Sequence, residues 1–270
     1  MKQAHQPSAV QTRMIKVGDA NLECSLRGTG EVVVLLANAG CSTNYFECLT
    51  DRLSARGFST VAINMRGVGN STGPLEGVSL HHLAADVAGV IDELDCAPAH
   101  VLGHAFGNRI ARCVAADRPN LIRSVILLAA GGLIGPPTRL GSAFRNARDE
   151  KISGPECVAL GARWLSSASD PSVLEPVECW PQVHIAHIET GRGTRLEDWW
   201  TAGDAAMLIV QGLDDQAAPP RNGHELRDSL GERVMLVDVP QAGHFMLLEQ
   251  PEAVIQAVLG FLADTTRISG

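Results

Sequence analysis

The chain has 270 residues, 45% of them hydrophobic and 19% charged, and a formal net charge of −8. That is enough apolar material for one large α/β domain or two small ones. The acidic balance and the lack of a Lys/Arg run argue against nucleic acid as a partner, and an anionic membrane would repel such a surface. The first thirteen residues are polar and lack an apolar core, so no signal peptide is expected, and no apolar run reaches membrane-spanning length. Seven cysteines stand at 24, 41, 48, 96, 113, 157 and 179. Their odd number and their spacing suggest reduced thiols and no metal site, hence a cytoplasmic protein.

In chain order, residues 14–27 read as two short strands around Gly18-Asp19-Ala20-Asn21, a hairpin. Val32–Leu36 is a continuous apolar run, as expected of a strand buried on both faces, and it ends in Ala37-Asn38-Ala39-Gly40. A helix is expected over 46–56 and a strand over Thr60–Asn64, followed by the loop Met65-Arg66-Gly67-Val68-Gly69-Asn70-Ser71. Ser79 is a good N-cap for a helix carrying Leu80, Leu83, Ala84, Val87, Val90, Ile91 and Leu94 at helical spacing. A strand over Ala99–Leu102 leads into Gly103-His104-Ala105-Phe106-Gly107 and a helix over Asn108–Ala116. Further strands are expected at Ser124–Ala129, Ala206–Gln211 and Val234–Val239. Pro251 opens a last amphipathic helix.

Buried strands alternating with amphipathic helices indicate a mostly parallel sheet flanked by helices. Residues 133–203 break the rhythm and contain all four tryptophans. They are read as a largely helical cap, with residues 1–132 and 204–270 forming the core.

Gly103–Gly107 has the form of a nucleophile elbow and lies between a strand and a helix. We read it with His104 where serine is expected, since histidine tolerates the positive φ of such a turn better than most residues. Asp215 and His244 follow two other buried strands. In an open parallel sheet the carboxyl ends of strands converge on one ligand site. Nucleophile, acid and histidine would then meet there.

With these motifs the chain resembles the α/β-hydrolase fold superfamily over roughly residues 14–262. The loop Arg66-Gly67-Val68-Gly69-Asn70-Ser71, the segment Gly212-Leu213-Asp214-Asp215 with Pro219, and Gly243-His244 with Glu249 and Pro251 all match that family's patterns. Ala37-Asn38 stands where the family commonly has His-Gly. The resemblance implies His244 as general base and Asp215 as the residue orienting it, with Asp214 a weaker candidate. By position, the oxyanion donors would be the amides of Ala39 and Ala105, with Asn38, Phe106 and Trp164 as substrate contacts.

Three roles stay open for His104: a nucleophile, a water activator, or a filler of the elbow. Cys41 reads as a small buried thiol and Ser71 as a turn residue. His81 and His82 are adjacent and read as ordinary surface or boundary residues. His184 and His187 have metal-compatible spacing but no third ligand in range.

The expected activity is hydrolysis of an ester, thioester or lactone of a small, fairly apolar molecule, without cofactor or metal. The alternatives are cofactor-free lyase or oxygenase chemistry with the His–Asp pair as base, and a ligand-binding pseudoenzyme. A small-molecule substrate is the expected partner, and the composition is compatible with a homodimer.

Overall fold

The structure is a computed structural model and describes residues 9–136 and 171–268. Among these, eight strands form one sheet in the order β1-β2-β4-β3-β5-β6-β7-β8. They are β1 Gln11–Val17, β2 Ala20–Gly28, β3 Val32–Leu36, β4 Ser59–Ile63, β5 Ala99–His104, β6 Ile122–Leu128, β7 Ala206–Gly212 and β8 Val234–Val239. The expected hairpin is β1–β2, closed at Gly18, whose φ is +56°. Strand β2 pairs antiparallel with β4, and every later pairing is parallel.

The central strands are apolar along their whole length because both faces of the sheet are covered. On one face α2 (Leu80–Glu93) and α3 (Phe106–Asp117) pack on Val34, Leu36, Val101 and Leu127. On the other, α1 (Glu47–Ser54) joins the C-terminal helix, Pro251–Ile268, over Val33, Leu35, Leu102 and Leu208.

Between β6 and β7 the described residues include α4 (Pro181–Arg192), started by its first-position proline. About half of the expected cap, residues 137–170 with Trp164, lies outside the described residues. The helix α5 (Arg221–Leu230) follows β7, and the short α6 (Met246–Glu249) precedes the C-terminal helix, α7.

One expectation about the thiols is corrected. Cys41 and Cys179 form a disulfide, 138 residues apart in sequence, tying the loop after β3 to the segment before α4. Cys24, Cys48, Cys96 and Cys113 are free. Among the described residues no helix is long and apolar enough to cross a membrane.

Candidate active site

The elbow joins β5 to α3 with almost no space between backbones. A Cβ on Gly103 would meet the backbone of Gly107 and Asn108, and one on Gly107 would lie 2.6 Å from the Ala37 carbonyl. Hence both positions are glycine.

The strained residue between them is Ala105, with φ +51° and ψ −105°. His104 is not among the residues of positive φ; it is the last residue of β5. The reading that placed His104 in the serine position is therefore corrected by one residue. A side chain without any nucleophilic atom occupies the turn. An L-residue with a Cβ is disfavoured there by roughly 1–3 kcal/mol.

His104 is fully committed. Its Nε2 lies 2.8 Å from the carbonyl oxygen of His244, and a carbonyl only accepts, so Nε2 carries the proton. Its Nδ1 therefore accepts from the Tyr45 hydroxyl at 2.8 Å. The Tyr45 oxygen in turn accepts the Asn38 N–H at 2.9 Å. Burial, reinforced by the neighbouring His244, pushes His104 down to about 3, so the ring is neutral at ordinary pH. With one nitrogen protonated and the other hydrogen-bonded, the ring has no free lone pair to attack a carbonyl. It braces the backbone of His244.

His244 and Asp215 do meet. Nδ1 of His244 lies 2.9 Å from Oδ2 and 3.2 Å from Oδ1 of Asp215. Oδ1 also accepts the N–H groups of Ala217 and Ala218, each at 2.8 Å. These bonds stabilise a charged carboxylate and fix its plane. The carboxylate then holds the imidazole with its Nε2 free. Asp214 makes no comparable contact with His244. The Gly243 N–H donates to Glu249 at 2.8 Å, so the Gly-His…Glu pattern is a brace for the histidine loop.

The amide assignment also changes. The Ala105 N–H donates to the Leu128 carbonyl at 2.9 Å and is spent on the sheet. The elbow amide not bonded to the backbone is that of Phe106, the residue after the turn. It and the Ala39 N–H both point at Oδ1 of Asn38, at 3.4 and 2.7 Å. The Asn38 side-chain oxygen thus sits between two converging amides.

Helix α4 closes over this loop with the two histidines whose spacing suits a metal but which lack a third ligand in sequence range. His187 accepts the Gly40 N–H at Nδ1 and donates from Nε2 to the Arg66 carbonyl, both at 3.1 Å, and its ring stacks on Phe106. His184 donates from Nδ1 to the Ala39 carbonyl at 2.9 Å. Burial pushes His187 down to about 4 and lowers His184 as well. Arg66 is held by both carboxylate oxygens of Asp86, at 2.6 and 2.9 Å, and Ser71 bonds the Asn64 carbonyl, so that loop is a brace too.

Tyr45 is the residue that sequence reasoning missed. It stands 59 residues from His104 and outside any motif, so only the fold brings them together.

A model of the alpha/beta hydrolase family matches residues 33–257. The 2-(acetamidomethylene)succinate hydrolase of Mesorhizobium japonicum is 33% identical, over 93% of this chain and 95% of that protein. The solved structure of Rv0554 from Mycobacterium tuberculosis is 28% identical with a TM-score of 0.76, covering 90% of this chain and 94% of that one. A thermophilic esterase from Thermogutta terrifontis aligns with a TM-score of 0.78 over 96% of this chain and 99% of its own, at 20% identity, a likeness of fold. By its motifs, its sheet and this match over most of its length, the chain belongs to the alpha/beta hydrolase family.

Proposed function

We propose that this chain hydrolyses an activated carbonyl compound, an ester, thioester or lactone of a small and fairly apolar molecule, by direct attack of water. The carrying observation is Ala105 at the strained turn beside an intact His244–Asp215 pair. With no side-chain nucleophile at the turn, water is the attacking group. Nε2 of His244 takes a proton from that water while oxygen bonds the carbonyl carbon. Asp215 holds the Nδ1–H and stabilises the imidazolium. The Ala39 and Phe106 amides receive the oxyanion once the Asn38 side chain turns aside. His244 then returns the proton to the leaving group, giving acid plus alcohol or thiol. The presence of named hydrolases among its relatives supports the reaction class.

One observation favours a second reading, proton abstraction by the same pair without hydrolysis. The two amides already hold Asn38 Oδ1, an arrangement that demands no oxyanion.

The test is turnover of an ester, thioester and lactone panel in ¹⁸O-water, with intact-protein mass spectrometry during the reaction. Labelled acid with no acyl adduct, abolished in His244→Ala, is the expected result. An acyl adduct would overturn the direct-water route. An inert panel, with tight binding of any of its members, would overturn hydrolysis.

A further inference from the structure

Away from the dyad, three side chains of different chemistry converge where α2 crosses α3. His81 stands in the first turn of α2. Cys113 and Asp117 stand four residues apart on α3 and so share one face. Cys113 is eight residues beyond Ala105, about 12 Å along the helix axis from the elbow.

Their potential ligand atoms all lie within 4.8 Å of one another. Nδ1 of His81 is 2.8 Å from Oδ2 of Asp117 and 3.5 Å from Sγ of Cys113, and Sγ is 3.6 Å from the same carboxylate oxygen. A tetrahedral zinc ion bonds sulfur at about 2.3 Å and nitrogen or oxygen at about 2.0 Å, which sets neighbouring ligand atoms roughly 3.3–3.6 Å apart. Both edges through sulfur already have that length. The third is shorter because a hydrogen bond now spans it, and a cation would displace that proton.

A second observation concerns the other side of the imidazole. Nε2 of His81 faces Oδ2 of Asp198 at 3.6 Å. A metal-bound histidine commonly gives its second N–H to a carboxylate, which fixes the ring and raises its basicity. The site also has one soft ligand, one borderline and one hard, a set that suits Zn²⁺ over Mg²⁺ or Ca²⁺.

We propose that His81 Nδ1, Cys113 Sγ and Asp117 Oδ2 form a zinc-class divalent cation site, with Asp198 orienting His81 and one coordination position left to water. Binding there joins α2 and α3 to the segment that carries Asp198. When the cation enters, the buried thiol loses its proton to solvent, and the imidazole keeps a single proton, on the Nε2 that faces Asp198.

The experiment uses the full chain after treatment with chelator, titrated with Co²⁺ alone. Saturable one-to-one binding with a sulfur-to-cobalt charge-transfer band, displaced by Zn²⁺, is the expected result. Cys113→Ser abolishes the band. His81→Gln and Asp117→Asn each weaken binding at least about tenfold, and Asp198→Asn weakens it about tenfold. The half-exposed His81 and Asp117 keep the test open should the Cys113 variant fold poorly. Cys48→Ser, which removes the exposed thiol, leaves the band unchanged. No saturable binding by the unmodified chain, or a band that survives Cys113→Ser, overturns the proposal.

Discussion

Tyr45→Phe tests the network that holds the His244 loop. The hydroxyl is buried and bridges two groups, the Asn38 N–H and Nδ1 of His104. Phenylalanine keeps the ring contacts with Phe46 and Phe245 but leaves both groups without a partner. A buried polar group left unpaired costs about 1–3 kcal/mol. His104 is completely enclosed and belongs near the upper part of that range. Asn38 is only half-buried, so water recovers part of its loss. The expected total is about 3 kcal/mol. In a domain of this size that is a fall in Tm of roughly 6–12 °C. Urea unfolding should show the loss as a lower midpoint with an unchanged slope. Nitrogen NMR of the unmodified protein should show His104 neutral, with the proton on Nε2. A destabilisation below about 0.5 kcal/mol, or a proton on Nδ1, would refute the hydrogen-bond direction assigned here.

Three further outcomes follow from the same geometry. Ala105→Gly removes the Cβ from a strained turn and should raise stability by about 1 kcal/mol in the same urea assay; a loss would show that the strain is absent. Gly107→Ala drives a Cβ into the Leu36 and Ala37 carbonyls and should cost 3 kcal/mol or more, or yield no folded protein on purification, with circular dichroism as the check. Acid should destabilise the fold through its buried histidines. Burial holds His100, His104 and His187 at about 4, 3 and 4. The unfolded chain binds these protons near pH 6.5 and the folded chain does not. Their stabilisation is therefore complete above pH 6.5 and shrinks as pH falls towards 4, by roughly 1 kcal/mol per pH unit for each histidine. Thermal melts between pH 7 and 5 should show it, and a flat profile would contradict it.

Much of the fold was legible because the buried strands are short, apolar and regularly separated by helices. β3, β7 and β8 fall within a residue of their expected positions, since both-face burial leaves an uninterrupted apolar run. The meeting of Asp215 with His244 was legible because both follow strands of one parallel sheet.

The elbow was misread by one residue. His104 drew attention as the only reactive side chain between the two glycines, but the turn is set by backbone. The residue forced to positive φ is the one after the strand ends, midway between Gly103 and Gly107, and that is Ala105. The same shift moves the elbow amide from Ala105 to Phe106. Tyr45, the Cys41–Cys179 disulfide and the α4 histidines were not legible. Each acts across a separation of 59 to 147 residues, which no local pattern encodes.

The most direct measurement is covalent labelling by a fluorophosphonate in Ala105→Ser, compared with the unmodified chain. If the turn is a nucleophile position emptied of its nucleophile and His244–Asp215 a working base, the introduced hydroxyl is labelled. The label vanishes when His244→Ala is added, and the unmodified chain takes none. A folded Ala105→Ser variant that resists the probe, or an unmodified chain that reacts at His104, would contradict the account.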